Sequence, residues 1–289
     1  MRRKWTALLL VIGWIIVLLL GCDVPSITPT VSSSQSIVAS SQSTQSTSQP
    51  TSKPTQQPTS QPASQPTQST TVPSAPSADP IVICIDAGHQ QSAIWDTEPN
   101  GPGSDVMKAK LSSGTQGVAT NIPEYQLNLE VSLLLEAELI SRGYQVVMIR
   151  RTNDCPLSNA ERAQIANNSG ADIFIRIHAN GADTASVNGM LCCAPTKNNP
   201  FLAEQVIIES IRLSDIMTKT FCAATGANNQ GIYSVDTMTG INWCQIPVTI
   251  VEMGYMSNPD EDRAMASPDY RQKMVTGIAN GIDAYFTDT

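Results

Sequence analysis

The stretch IVICIDAGH, residues 81–89, is a short apolar run that ends at a histidine. A second stretch, ADIFIRIHAN at residues 171–180, also has an apolar run that reaches a histidine, His178. These are the only 2 histidines in a chain of 289 residues. Apolar runs of this length, rich in β-branched residues, predict buried strands. The chain therefore places both of its histidines where a predicted strand ends.

Helix-like and strand-like segments alternate along the rest of residues 80–289. The segment that starts at Pro123 has apolar groups at helical spacing and ends at Gly143, while Ser158 and Glu161 form a capping box before a second helix. Further strands are expected in YQVVMI, GMLCCA and PVTIVEMG, and further helices over residues 201–224 and 269–286. This alternation predicts an α/β fold, a three-layer sandwich with a mostly parallel central sheet flanked by helices.

The first 22 residues predict attachment to a membrane. Three basic residues, Arg2, Arg3 and Lys4, precede a long apolar stretch, which is the pattern of an export signal. The stretch is also long enough to span a bilayer as an uncleaved anchor. LLGC at residues 19–22 resembles the lipobox of bacterial lipoproteins, which implies cleavage before Cys22 and a lipid on that cysteine. Both alternatives place the rest of the chain outside the cytoplasm.

Residues 23–79 and residues 80–289 differ sharply in composition. The first segment is almost entirely Ser, Thr, Gln, Pro and small apolar residues, so it is predicted to be a disordered linker. The second has the length of one ordinary domain and a net charge of about −10, which argues against nucleic acid as a partner. An even number of exported cysteines permits disulfides, and we expect at most one or two. The cysteines of this domain are Cys84, Cys155, Cys192, Cys193, Cys222 and Cys244.

The two histidines favour a metal site. In α/β folds, function gathers at the carboxyl ends of the strands, and neutral imidazole is the commonest protein ligand for zinc. A catalytic zinc takes three protein ligands, and since the chain has no further histidine, we expect a carboxylate to join His89 and His178. Glu124 opens the first helix, where an acid is also favoured by the helix dipole alone. Glu252 ends an apolar strand, and a buried carboxylate needs a metal, its water or a cation as its partner.

Four stretches in order resemble the zinc-dependent N-acetylmuramoyl-L-alanine amidases of bacterial cell walls, the amidase type 3 family. They are IVICIDAGHQ, IPEYQLNLEVSLLLEAELISRGYQVVMIRRTND, LSNAERAQIANNSGADIFIRIHAN and IPVTIVEMGYMSNPDED. The resemblance implies one zinc ion per chain, held by His89, Glu124 and His178, with Glu252 as the general base or acid. It also implies hydrolysis of the amide bond between N-acetylmuramic acid and L-alanine in peptidoglycan. Together with the N-terminal signal, we expect the chain to be tied to the outer face of the cytoplasmic membrane and to face the cell wall.

The sequence departs from the family pattern near the first histidine. Ala87 and Gln90 stand where the family commonly has Pro and Gly, and the stretch between His89 and Glu124 is longer than in many members. Its extra residues, 92–121, are polar and rich in Gly, like a loop over a site. We expect this loop to form one wall of the substrate groove.

Three more residues are candidates for contacts with the ligands or the substrate. Arg176 stands where Ser is frequent in the family, and strand alternation points it to the same face as His178. Asp86 and Asn180 lie close in sequence to the two histidines. Arg176 has an equally simple interpretation as a framework cation.

Two other functions remain open from the sequence. A zinc peptidase that cuts within the stem peptide would use the same site chemistry and a different pocket. A non-catalytic module that binds peptidoglycan is the alternative from another class, and an intact Glu252 beside three intact ligands argues against it.

Overall fold

The computed structural model describes residues 80–287. Eight strands and six helices follow one another within this part of the chain. In chain order they are β1 (Val82–Ala87), β2 (Ile94–Pro99), β3 (Met107–Leu111), α1 (Glu124–Ser141), β4 (Gln145–Met148), α2 (Asn159–Asn168), β5 (Ile173–Asn180), β6 (Met190–Ala194), α3 (Glu204–Thr225), β7 (Asn229–Ser234), α4 (Thr239–Asn242), β8 (Val248–Tyr255), α5 (Pro259–Ala266) and α6 (Pro268–Thr287).

Six of the strands form one sheet in the order β4-β1-β5-β8-β6-β7. The first four in that order are parallel to one another, and β6 runs antiparallel to β8 with β7 parallel to β6. The register places His178 on β5 beside Glu252 on β8. The mostly parallel sheet is as expected, and its four parallel strands bring their carboxyl ends to one edge.

Each face of the sheet packs against its own apolar core, and successive residues of a strand belong to opposite cores. Ile85 and Ile175 pack in the cluster that holds residues of α1, α3 and α6, such as Phe221. Cys84 and Phe174 pack in the cluster that holds residues of α2 and α4. Because neighbouring residues of a strand point to opposite faces, the two clusters are two layers. The three-layer sandwich is confirmed.

The stretch between His89 and Glu124 is not the irregular loop that was expected. It contains β2 and β3, which pair as an antiparallel hairpin. Two hydrogen bonds hold the hairpin against the rest of the domain. Glu98 accepts the backbone N–H of Ala160 at 3.1 Å, and Trp243 Nε1 donates to the carbonyl oxygen of Pro99 at 2.9 Å. The partners lie on α2 and at the end of α4, so the hairpin depends on the tertiary fold.

The predicted signal or anchor at residues 1–22, including Cys22, and the predicted linker at residues 23–79 lie outside the described residues. Within residues 80–287, no helix is both long and apolar enough to cross a membrane. All six cysteines of this part of the chain are free thiols.

Candidate metal centre and active site

His89, Glu124 and His178 meet at the carboxyl edge of the sheet. His89 lies just after β1 with a positive φ of 60°, which is uncommon for a residue other than Gly. The absence of a side chain at Gly88 lets the ring of His178 lie against the backbone there, because a Cβ at that position would lie 2.3 Å from the ring. Glu124 is the first residue of α1, directly after Pro123. Three separate elements therefore supply the three side chains.

One carboxylate oxygen joins the two imidazoles. Glu124 Oε1 lies 3.1 Å from His89 Nε2 and 3.2 Å from His178 Nδ1. The two rings are nearly perpendicular, with centroids 4.7 Å apart. The other nitrogen of His89, Nδ1, lies 2.8 Å from the carbonyl oxygen of Ser112. A proton on Nδ1 would satisfy that contact and leave the Nε2 lone pair directed at the cluster.

Backbone and amide donors hold the carboxylate of Glu124. Thr115 N donates to Oε2 at 2.9 Å, and Ala179 N donates to Oε1 at 3.2 Å. Asn128, one turn later on α1, donates from Nδ2 to the same Oε1 at 3.2 Å. Sequence reasoning missed Asn128, although its i+4 spacing from Glu124 was the available signal.

The protonation states of the cluster suit a cation. Burial raises the pKa of Glu124, but hydrogen bonds with His178 and His89 outweigh it, so the pKa lies well below its usual value. Burial lowers the pKa of His178 to about 4, against the opposing effect of Glu124. An ionised carboxylate and a neutral imidazole are the forms that bind metal.

The donor set and its spacing fit zinc. Two imidazoles and one carboxylate are a ligand set of catalytic zinc, and the candidate donor atoms of all three residues lie within 4.8 Å of one another. Bonds of about 2.0–2.1 Å at a tetrahedral zinc hold ligand atoms roughly 3.3 Å apart. The observed contacts of 3.1 and 3.2 Å are close to that separation.

Glu252 lies beside the cluster with an unpartnered oxygen. Its Oε2 is buried and has no hydrogen-bond partner among residues 80–287, and neither has Nε2 of His178. Burial first, and the charge of Glu124 second, raise the pKa of Glu252 to about 8, while Arg176 acts in the opposite direction. A carboxyl group with a pKa near neutrality can both accept and donate a proton under ordinary conditions.

An open cleft of about 590 Å³ leads to these residues. Strand β3 and the residue that follows it contribute one side, and the start of α4 contributes another. The residues that line the cleft are His89, Met107, Lys108, Ala109, Ser112, Asn159, Arg176, His178, Thr237, Met238, Thr239, Gly240, Ile250 and Glu252. The stretch between His89 and Glu124 thus lines part of this cleft, and it does so from a hairpin. That it forms a wall of the substrate groove stays a prediction.

The three further candidates have different positions. Asp86 is fully buried, and its carboxylate accepts from Arg162 at 2.7 Å and from Arg176 at 3.0 Å. Arg176 lines the cleft. Asn180 uses its side-chain oxygen to accept the N–H of Gly181 at 2.8 Å and is absent from the cleft lining in the described part of the chain. Of the three candidates, Arg176 is the one whose side chain lines the cleft.

The carboxyl edge of the sheet thus carries a cluster that could hold a metal ion, an adjacent buried carboxyl group and an open cleft, an arrangement suited to a hydrolase. The N-acetylmuramoyl-L-alanine amidase family, Amidase_3, matches residues 83–284. The chain belongs to this family, and its activity is that of a cell-wall N-acetylmuramoyl-L-alanine amidase.

Individual relatives and solved structures agree with this assignment. The chain is 28% identical over 229 residues to N-acetylmuramoyl-L-alanine amidase Rv3717 of Mycobacterium tuberculosis, covering 75% of this chain and 93% of the relative. The crystal structure of the amidase Ami1 from Mycobacterium smegmatis matches with a TM-score of 0.66 and 25% identity, over 72% of this chain and 98% of that one. Ami1 from Mycobacterium abscessus, in its apo form, gives a TM-score of 0.65 and 28% identity over 71% and 98%.

Proposed function

We propose that this amidase is zinc-dependent, that His89, Glu124 and His178 hold one zinc ion, and that Glu252 is the catalytic base. The observation that carries the proposal is the unpartnered carboxyl oxygen of Glu252, buried next to the cluster in the same cleft. A buried polar atom without a partner is costly unless a ligand satisfies it.

The chemistry follows from these residues. When bound, zinc supplies Lewis acidity, which acidifies water and polarises the amide carbonyl group. Glu252 takes a proton from the attacking water while the oxygen of that water adds to the lactyl carbonyl carbon. Glu252 then gives that proton to the nitrogen of L-alanine as the C–N bond breaks. The two products are a glycan strand with a free lactyl carboxylate and a peptide with a free amino terminus.

The test is mass analysis of peptidoglycan digested with the purified protein, with and without a chelator. We expect free peptides that begin with L-alanine and glycan strands without peptide. We also expect the chelator to stop the reaction and added zinc to restore it. Shortened peptides still attached to the glycan would show a peptidase, and no new ends would show a binding module. Full activity in chelator would reject zinc dependence while leaving the amidase assignment intact.

We also propose that the protein is exported and held at the outer face of the cytoplasmic membrane. The support is the basic and apolar pattern of residues 1–21 and the LLGC stretch that ends at Cys22. Cell fractionation should find the mature protein with membranes, and mass analysis should find lipid on Cys22. An intact 1–21 segment on mature protein would favour an uncleaved anchor, and mature protein found wholly outside the membrane fraction would reject both.

A further inference from the structure

Arg176 is a nearly buried cation at the wall of the active-site cleft. Its side chain is only 3% exposed, yet the residue lines the cleft. Nε donates to Asp86 at 3.0 Å and Nη2 donates to Asn159 Oδ1 at 2.8 Å. Nη1 donates no hydrogen bond to any residue in the range 80–287. A guanidinium group has five N–H donors, so the two on Nη1 are available to a ligand.

The local backbone leaves room for this guanidinium group. A Cβ added at Gly240, the second residue of α4, would lie 1.7 Å from Nη1 of Arg176. Any larger residue at position 240 would occupy the place of the guanidinium group. Gly240 therefore leaves space in the cleft wall for Nη1 of Arg176, the nitrogen that donates no hydrogen bond within residues 80–287.

Three buried arginines, Arg150, Arg162 and Arg176, lie around the carboxylate of Asp86, and Glu252 is the other carboxyl group among the described residues that acts on Arg176 by its charge. Asp86 is the one salt-bridge partner of Arg176 in the described part of the chain, and Asp86 is shared with the fully buried Arg162. Arg150, buried close by, donates to carbonyl oxygens such as that of Ala87, and no carboxylate pairs with it among residues 80–287. A buried charge without full compensation is costly, so this site favours an anionic ligand.

A second cation faces the same cleft from the hairpin. Lys108 on β3 lines the cleft and has no salt bridge to another described residue. The domain as a whole is acidic, with an excess of acidic over basic residues. Lys108, a cation without a carboxylate partner in the part of the chain that the structure describes, therefore adds to the electrostatic attraction of an anionic substrate group to the cleft.

The spacing of Arg176 and His178 along β5 indicates which part of the substrate Arg176 can reach. Arg176 precedes His178 by two residues on the same face of β5, which separates their Cα atoms by roughly 6.6 Å. A peptide backbone advances about 3.3–3.6 Å per residue, so the second residue after the scissile bond lies at a similar distance. The carboxyl group of the muramic acid is itself part of the scissile amide. A free carboxylate must therefore come from the peptide.

We infer that Arg176 binds a free carboxylate on the second residue of the peptide and makes this enzyme select substrates that are anionic there. The inference rests on the proposed hydrolysis and adds a specificity to it. A guanidinium nitrogen and a carboxylate form a charge-assisted hydrogen bond that a neutral carboxamide cannot match.

Two synthetic substrates that differ in one group test the inference. Both are N-acetylmuramoyl-L-alanyl-D-glutamate capped as the γ-methylamide, one with a free α-carboxylate and one with an α-carboxamide. For the wild type we expect kcat/KM to favour the carboxylate by about 10- to 100-fold, the usual weight of hydrogen bonds to charged groups. Arg176→Gln should bring this ratio close to one by slowing only the carboxylate substrate. Arg176→Lys should give an intermediate ratio because it keeps the charge and removes the planar fork of donors.

Binding measurements separate this inference from the proposed function. The Glu252→Gln variant should bind the two substrates without cleaving them, and calorimetry should give the same ratio between the two Kd values. Arg263→Gln makes the same chemical change at a side chain that is 63% exposed, and should keep the full ratio. When Arg176 is replaced, Asp86 still has Arg162 as a partner. If Arg176→Gln folds poorly, the substrate ratios of the wild type and of Arg176→Lys decide whether the inference holds.

Each result has a distinct meaning. A wild type that cleaves or binds both substrates equally overturns the inference and leaves the amidase function intact. A ratio that survives in Arg176→Gln overturns the role of Arg176. If neither substrate is cleaved, the proposed function fails on these compounds, and the Kd ratio still decides the inference.

Discussion

At the residue scale, the proposed mechanism makes hydrolysis depend on the carboxyl group of Glu252. Glu252→Gln keeps the shape of the side chain and removes its ability to accept a proton. We expect hydrolysis to fall by about two to four orders of magnitude, the usual weight of general acid–base catalysis. Zinc content should stay at one ion per chain, since the three ligands are unchanged. Glu204→Gln, at an exposed position at the start of α3, is the matched control. Near-normal turnover in Glu252→Gln would assign the proton transfer to another group.

Asp86 is a second single residue with a large expected effect, here on stability. Asp86→Asn leaves the buried Arg162 and Arg176 without their shared carboxylate, which should lower the free energy of unfolding by about 3–5 kcal/mol. Urea denaturation measures this change. The control is Asp260→Asn, because Asp260 is 97% exposed and its pair with Arg263 is at the surface. A decrease no greater than that of the control would show that the buried pairs contribute little.

The contribution of Asp86 to stability should also depend on pH. Burial raises the pKa of Asp86, but Arg162 and Arg176 outweigh it and lower the pKa below its usual value. A carboxyl group whose pKa is lowered on folding stabilises the protein fully above its unfolded pKa of about 3.9. That stabilisation is lost as the pH falls through the folded pKa. The difference in stability between wild type and Asp86→Asn should therefore shrink in acid.

Sequence reasoning found some of these residues for a definite physical reason and missed others. His89, His178 and Glu252 could be predicted because the carboxyl ends of parallel strands meet at one edge. Arg162 could not, since it lies on α2, is separated from Asp86 by 76 positions, and resembles any charged residue of a surface helix. Only the packing of α2 on the sheet brings Arg162 to Asp86 and makes it a buried partner.

At the element scale, strand β3 of the β2–β3 hairpin forms one side of the cleft. Met107 and Lys108 line the cleft, and both are exposed, so replacing them with Ala should leave folding and zinc content unchanged. We expect kcat/KM on soluble peptidoglycan fragments to fall about 2- to 10-fold for each of the two side chains that is shortened. Val106→Ala shortens a neighbouring side chain that is 61% exposed and outside the cleft lining. Equal kinetics for the double variant and this control would leave the hairpin without a role in binding.

The elements differ in how well their sequences reveal them. The residues of β1 and β5 are buried almost throughout, which produces continuous apolar runs. The residues of β7 are exposed or half-buried, and those of β2 and β3 are mostly so, because β7 is an edge strand and the hairpin stands outside the main sheet. Such strands lack an apolar signature. The antiparallel direction of β6 is set by its connections and could not be predicted from GMLCCA itself.

At the scale of the whole molecule, the candidate ligands link elements that are distant in sequence. His89 follows β1, Glu124 begins α1 and His178 belongs to β5. The unfolded chain does not hold these three side chains together. Zinc that binds only the folded protein must therefore raise its stability through mass action.

Removal of zinc should consequently lower the melting temperature. A ligand at 100 times its Kd adds about 2.7 kcal/mol, which corresponds to roughly 5–10 °C for a domain of this size. Calorimetry of the zinc-loaded protein, before and after dialysis against a chelator, measures the shift, and added zinc should reverse it. His178→Ala should bind no zinc and melt at one temperature in both buffers, and Glu252→Gln should show the full shift because its ligands are intact. A chelated wild type that keeps both its melting temperature and its activity would show that the His–Glu–His cluster is a structural contact and that hydrolysis has another source.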